Sequence, residues 1–494
     1  MKNRIYIMAF LLVGLTSCNK LLDVKPYSFS SDATYYENEG QILRAVNGAY
    51  GSLQEIYTGD SFWALTEMRA DNTNYQFDES DRGAQQREEI DEFLITSTNN
   101  YVNTSWQLLY RNIQQSNVII DRIEPVEFVD EAVKNRYKGE AKFLRALQYF
   151  YLVRLFGPVP LILSEIKDPE GSFSEGRASV QEVYDQIIAD AKDAAETLPV
   201  SYEGNDIGRA TKGAALTLLG EVYLTLKDYN SAISNLEQVL TMNYMLVPKY
   251  GDNFNPATKN NSESVFSIQF DAGIQSEPSN FIFMFGPRNA KVQLTGYSGN
   301  LGGSNIPTPS IVNAYEDGDL RKDESIQMFS DPSNASFEES KAFGGKIPFI
   351  KKYYHPPFTE DGRANENWPV YRYSYVLLML AEATNELGSG DPYKYINPVR
   401  ERANLAPLSG LSQNDFREAV YHEERVELAF ENNRWFQLLR TDKAIEVMTQ
   451  HGAEEKQRLS RLSSASYNIQ AFKLLFPIPE REVRLNGFDQ NQGW

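Results

Sequence analysis

Thiol and imidazole are scarce in this chain: 494 residues contain one cysteine and three histidines. Cys18 alone can form no intrachain disulfide, and His355, His422 and His451 stand at no metal-ligand spacing, so neither a thiolate centre nor a transition-metal site is expected. Positive charge is in the minority: 48 Lys and Arg face 67 Asp and Glu, for a formal net charge of −19. Such a surface speaks against a nucleic-acid partner and against a polybasic membrane contact, and it fits a neutral or cationic ligand better than an anion. Beyond the N-terminus no run is apolar enough to cross a bilayer. No glycine-rich phosphate loop follows a strand. The run Glu316-Asp317-Gly318-Asp319 lacks the order of an EF-hand loop and reads as a surface turn rather than a calcium site. No cofactor is expected.

What is present begins at the N-terminus. Lys2 and Arg4 precede an apolar run over residues 5–15, followed by Leu15-Thr16-Ser17-Cys18. The run is short for a membrane span and has the layout of a secretory signal. Small residues just before a cysteine resemble the lipobox of bacterial lipoproteins. The expectation is that residues 1–17 are removed as a signal peptide and that Cys18 carries a lipid anchor; an ordinary signal peptide with an incidental cysteine is the alternative.

The stretch over residues 209–240, RATKGAALTLLGEVYLTLKDYNSAISNLEQVL, is the unit around which the rest is organised. Leu216, Leu219 and Tyr223 share one helical face and Ala215, Leu218 and Val222 the adjoining one, so the first helix must be covered on both sides. After a turn at Lys227-Asp228, with Asp228 as N-cap, Tyr229, Ala232, Ile233, Leu236, Val239 and Leu240 recur at helical spacing. Leu219-Gly220, Tyr223, Ala232 and Leu236 fall in the order of a tetratricopeptide (TPR) repeat, and one such pair cannot bury its own faces without neighbours. A lone helical hairpin in another helical fold is the alternative.

Further helices are predicted over 33–56, 106–123, 138–156, 180–198, 369–387, 393–403, 412–430 and 434–448, the third ended by Gly157-Pro158 and the seventh opened by Ser412 with Asp415 in capping-box positions. The helical period lapses elsewhere. Residues 265–270 alternate like a strand, and 296–309 is loop by composition. The expected fold is mostly α: a scaffold of about four TPR-like helical pairs, mainly 33–57, 104–243 and 370–450, forming one domain over 18–494 with an irregular, loop-rich lobe, mainly 58–103 and 244–369, that holds a few short strands. The C-terminus, FKLLFPIPEREVRLNGFDQNQGW, is broken by proline and is expected to run across the surface of the bundle.

One cluster invites a catalytic reading. Glu423, Glu424, Glu427 and Glu431 crowd one helix, and a pair of carboxylates could hydrolyse a glycosidic bond. Arg417, Arg425, Arg434 and Arg440 lie on the same helical pair, so ion pairing, with Glu427 and Arg434 in a partly buried network, is the structural expectation.

Several separated stretches resemble the SusD/RagB-like family of nutrient-binding lipoproteins. They are the lipobox followed by Leu22-Asp23-Val24-Lys25-Pro26; Trp106 with Leu109-Tyr110 and Asn117; residues 141–160; VYRYSYVLLMLAEA at 370–383; NPVRERA at 397–403; ERVELAFENNRWFQLLR at 424–440; and FPIPERE with the closing QNQGW. The resemblance implies a TPR-like scaffold tethered to the outer membrane of a Bacteroidetes-type bacterium and exposed at the cell surface. It implies a lid over a SusC-like TonB-dependent transporter, to which a glycan is delivered, without enzymatic activity. Peptide capture by the same lid is the alternative, and a lipoprotein glycosidase a further one. Leu301-Gly302-Gly303-Ser304 sits where relatives can carry an aromatic, which puts part of the family's binding platform in doubt.

In sugar-binding members the ligand lies on exposed loop aromatics. Here the candidates outside the helical stripes are Tyr75, Tyr101, Tyr297 and Trp368, with Asn72, Arg82 and Asn99 as polar partners. A sugar ring desolvates its C–H face against a flat side chain, while its hydroxyls need a few directional donors and acceptors.

Overall fold

The computed structural model describes residues 36–59, 61–80, 83, 85–167, 176–273 and 276–494. The signal peptide, Cys18 and the 22–26 motif lie outside these residues. The first described helix, α1 (Glu39–Thr58), starts where the Asn38 side chain accepts from the Gln41 amide and buries Ile42, Val46, Ala49 and Leu53, with Ala45 half-buried beside them. Helix α2 (Asn100–Arg122) follows, then α3 (Glu131–Phe156), whose second half is buried on every side. Gly157 ends α3 with φ +72°, a conformation that a side chain at this position would strain. Helix α4 (Val180–Thr197) opens with a capping box between Ser179 and Glu182.

Helices α5 (Lys212–Thr225) and α6 (Tyr229–Leu240) form the hairpin read from the sequence, and Asp228 caps α6 by accepting from the Ser231 amide at 3.1 Å. The TPR signature is borne out in the contact between them. A Cβ built at Gly220 would lie 2.3 Å from Leu236 Cδ2, so only glycine permits this approach. Helices α7 (Tyr373–Leu387), α8 (Tyr393–Arg402), α9 (Gln413–Glu427), α10 (Arg434–Arg440) and α11 (Ala444–Arg458) complete the scaffold. Each helix from α1 to α6 packs on the next, α6 packs on α7, and α7 also receives α8 and α9. The result is the predicted mostly α, TPR-like layering.

Among the described residues three antiparallel strand pairs stitch the irregular lobe together, two of them joining segments far apart in sequence. β1 (Thr73–Asn74) pairs with β3 (Ile306–Pro307), β2 (Ser264–Ile268) with β6 (Trp368–Arg372), and β4 (Ile326–Ser330) with β5 (Lys346–Ile350). Two expectations are corrected here. The helix predicted from 369 begins only at Tyr373, because residues 368–372 are extended and pair with β2. Proline is tolerated at 369 because each strand of a two-stranded sheet keeps an open edge. The C-terminal segment does not simply cross the surface: Phe476 and Ile478 are buried in the main core, and the Phe476 amide donates to Leu155 O at 2.8 Å. Asn491 then donates its side-chain amide to Phe156 O and Phe476 O, closing the end of α3.

A second, smaller apolar cluster lies within the lobe. Ile282, Phe283, Leu294, Leu301, Phe329 and Phe349 form it, with Tyr354 and Phe358 packed alongside.

Candidate functional site

Four of the expected ligand-binding residues lie in the interior, which corrects the expectation that they stand on exposed loops. Trp368 is 1% exposed; its indole stacks on Tyr353 at 4.9 Å and meets Phe281 edge-on at the same distance. As the first residue of β6 it is drawn into the seam between scaffold and lobe, where burying a ring this large contributes roughly 1.5 to 3 kcal/mol. Tyr75 is also buried, its hydroxyl donating to Glu92 and the Arg461 guanidinium lying 4.7 Å from its ring centroid. Asn72 is fully buried beside β1, donating to Glu67 at 3.4 Å and accepting from Arg425 Nε at 2.9 Å. Asn99 is the N-cap of α2, accepting from the Tyr101 and Val102 amides, and its own amide donates to Gln86 O at 2.7 Å. Each is engaged by the fold. Arg82 lies outside the described residues.

Tyr101 and Tyr297 reach the surface. Tyr101 stands in the first turn of α2 and is half-buried rather than carried on a loop. Tyr297, also half-buried, follows the left-handed Gly296 and donates its hydroxyl to Phe358 O at 3.4 Å, tying the 295–300 loop to the 354–361 segment. Phe77, absent from the expected set, is half-buried too, with Arg461 5.1 Å from its ring centroid. The extended chain after β1 puts Tyr75 and Phe77 two residues apart on one side, a period-2 signal legible in the sequence. Nothing near either residue in the chain announces Arg461.

The glycine corner at 302–303 explains itself. A Cβ at Gly302 would lie 2.4 Å from the Met284 carbonyl oxygen, and one at Gly303 would lie 2.5 Å from Arg288 Cγ. Gln76 donates its backbone N–H to Gly303 O at 2.7 Å and accepts the Arg288 N–H on its side chain at 2.9 Å, so the 76–78 and 288–303 loops are laced together. An aromatic side chain has no room at either glycine without moving backbone.

The acidic cluster on and just after α9 is the other place where chemistry was conceivable, and its four glutamates are each held by a cation. Glu423 binds Arg321 at 2.6 Å and Arg400 at 2.8 Å, and Glu424 binds Arg440 at 2.9 Å. Glu427 meets Arg321, Arg372 and Arg402 at 3.0, 2.7 and 2.6 Å, while Glu431 meets Lys352 at 2.7 Å and Arg372 at 2.8 Å. Glu427 and Arg434 are both ion-paired, as expected, but in separate networks: Arg434 binds Asp71 at 2.8 Å, and the cations around Glu427 come from the lobe, β6 and α8. Burial raises the Glu427 carboxyl, but the Arg402, Arg372 and Arg321 guanidiniums outweigh it and hold the group well below the usual carboxylate range. Burial dominates at Glu424 instead, lifting it to about 7 against the opposing Arg440.

Near the same seam, Glu67 is fully buried and pushed up to about 7 by desolvation, despite accepting from the Asn432 and Phe430 amides at 3.0 and 3.2 Å. Phe430 and Asn432 both have positive φ, 69° and 64°, so this one carboxyl ties down a turn that most side chains avoid. Among the described residues no group of three or more His, Cys, Asp or Glu is placed to hold a metal ion, and no helix is long and apolar enough to cross a membrane.

A stack of helical pairs that carries a loop-rich lobe, with the glutamates of its acidic cluster ion-paired, has the build of a scaffold-type binding protein. Comparison with known proteins narrows the class. Residues 338–494 match the model described as the SusD family, and residues 20–224 match one described as starch-binding and associating with the outer membrane. A SusD-like protein of Formosa agariphila is 26% identical over 98% of this chain and 96% of its own length. The starch-binding protein SusD of Bacteroides thetaiotaomicron is 24% identical, over 53% of this chain and 49% of its own. The structure of a laminarin-binding SusD-like protein superposes with a TM-score of 0.77 at 25% identity, covering 93% of this chain and 100% of that one. A surface glycan-binding protein A from Bacteroides fluxus shares the fold at a TM-score of 0.76 and 23% identity, with 93% and 100% coverage. The chain belongs to the SusD/RagB family.

Proposed function

We propose that this chain is a cell-surface lipoprotein that binds a glycan and hands it to a SusC-like TonB-dependent transporter in the outer membrane, without cleaving it. The supporting observation is full-length agreement with SusD-like proteins, one of them laminarin-binding, together with the half-buried rings of Phe77 and Tyr297 on loops and of Tyr101 at the start of α2, which on this reading make up one binding face, the loop face. Aromatic rings partly open to water and held on a rigid scaffold suit the apolar face of a sugar, and an acidic, net negative chain suits a neutral one. The ion-paired acids of α9 support a non-enzymatic role, because a general acid or nucleophile locked to arginine is not available to a glycosidic oxygen. Anchoring through Cys18 and exposure at the outer surface belong to the same reading.

The test is a binding panel of starch, laminarin and other polysaccharides, with peptides as the competing class. Saturable glycan binding without product formation is expected. Tyr101→Ala and Tyr297→Ala should each weaken it by about 10- to 100-fold with the fold retained. Binding of peptides alone would overturn the glycan reading, and release of shorter sugars would overturn the non-enzymatic one. Co-purification with a TonB-dependent barrel from outer membranes is expected; isolation without one from intact outer membranes counts against delivery.

A further inference from the structure

Away from the loop face, a long furrow crosses the scaffold where the 200–211 connection passes between α1, the end of α6 and β2. One half is a cavity of about 480 Å³ whose walls include Tyr202, Asn243, Tyr244 and Asn260. The other, about 460 Å³, is walled by Asn47, Tyr50, Asn205 and Gln269. The halves share Ile207, Gly208, Arg209, Phe266 and Ser267, so they are two ends of one depression on either side of a low ridge. Each half has the volume of a ligand pocket.

The chemistry of the furrow differs from that of the rest of the surface. In a chain of formal charge −19 its polar lining is mostly amide and hydroxyl, with three tyrosine rings and the Phe266 side chain between them. Its arginine is already spoken for: Arg209 binds Asp206 at 2.7 Å and Glu140 at 3.0 Å and donates to Asn47 at 2.6 Å. Gly208 lets the ridge stay low, since a Cβ there would lie 2.6 Å from the Gln269 side chain, and its φ of +99° suits glycine. The Tyr202 hydroxyl is buried with no hydrogen-bond partner, although a buried hydroxyl normally has one. The ring that carries it is steadied by Arg136, 5.7 Å from its centroid.

We infer that this furrow is a second glycan site, taking a neutral, extended oligosaccharide whose hydroxyls meet the side-chain amides of the lining while its C–H faces lie on Tyr50, Tyr202 and Tyr244. It shares no lining residue with the loop face of Tyr101 and Tyr297. The inference rests on the glycan-binding reading above and adds a second place of contact, so that one polysaccharide chain can be held at two points and dissociate more slowly than from either alone.

Maltoheptaose and laminarihexaose are the probes, titrated by calorimetry and counted by native mass spectrometry. The full-length chain should bind two oligosaccharides, and a Tyr101→Ala/Tyr297→Ala variant should keep one. In that background Tyr202→Ala should weaken the remaining site by about 10- to 100-fold, and Tyr202→Phe by less. Ser201→Trp, which changes an exposed residue of the lining, should obstruct the furrow without touching the core. Thermal melts verify folding. If glycan binds but stays at one per chain, or if Tyr202→Ala and Ser201→Trp leave every affinity unchanged, the furrow site is wrong and the loop-face reading stands. If neither probe nor any polysaccharide of the panel binds the unaltered chain, both readings fall.

Discussion

Gly220 and Leu236 occupy neighbouring helices at a separation that leaves no space for one methyl group, with Leu236 Cδ2 and Cγ 2.3 and 2.4 Å from where a Cβ at Gly220 would stand. Gly220→Ala gains about 1 kcal/mol of helix propensity but forces the α5–α6 pair apart, an overpacking cost of about 1 to 3 kcal/mol. A lower melting temperature is expected. Gly48, on the exposed side of α1 with nothing within 4 Å of its missing Cβ, is the contrast: Gly48→Ala should raise the melting temperature. Equal responses at the two sites would contradict the close approach.

Glu427→Gln leaves Arg321, Arg372 and Arg402 short of the charge that offsets theirs. The expected loss is about 3 to 5 kcal/mol, read by chemical denaturation, with glycan affinity unchanged in the folded fraction. The pH dependence has a definite sign. A carboxyl depressed in the folded state stabilises fully above its unfolded value of about 4.3 and loses that contribution as acid takes the pH down through the folded value. The acid limb of the unaltered chain should therefore be steeper below about pH 4.3 than that of the variant.

Glu67 has the opposite sign. Its carboxyl is raised to about 7, so the folded state holds its proton more tightly than the unfolded chain does. Stability is then lost as pH rises from about 4.3 toward 7, by up to about 4 kcal/mol, and is constant above. Glu67→Gln keeps a carbonyl acceptor for the Phe430 and Asn432 amides but removes the titration. The difference in unfolding free energy between the two chains should change over that window and be level above pH 7; a flat difference throughout would show that burial does not act on this group.

Cys18→Ala should move the protein out of the membrane fraction. Two or more acyl chains, each CH₂ worth about 0.8 kcal/mol when buried, hold a protein to a bilayer, and Cys18 is the sole cysteine available for them. Undiminished membrane association of the variant would place the anchor elsewhere.

The helices were legible because their stripes are local. Ala232, Leu236 and Val239 recur at a spacing that has to be buried, and they are. The strand at 368–372 was not, because Val370 and Tyr371 run directly into the apolar face of α7 and share its period by accident. The candidate site was hardest to read. A polar neighbourhood in sequence made Tyr75 and Trp368 look like loop aromatics, yet their burial is decided by Arg461, Tyr353 and Phe281, which local composition does not reveal. The cations around Glu427 come from three separate elements for the same reason, and only Arg402 and Arg372 lie in stretches that looked distinctive beforehand.

The carbonyl of Phe156, the last residue of α3, is met by a side-chain amide 335 residues further along the chain, and that of Leu155 by the Phe476 amide. The buried half of α3 is therefore finished by groups that a growing polypeptide supplies late. Contacts of such sequence separation slow the search for the native state, and here they make the closing of the central layer a late event. Until it happens, Phe150 to Phe156 present aromatic surface to any neighbour, so recovery of refolded protein should fall as its concentration rises, and a chaperone that shields this helix should restore it.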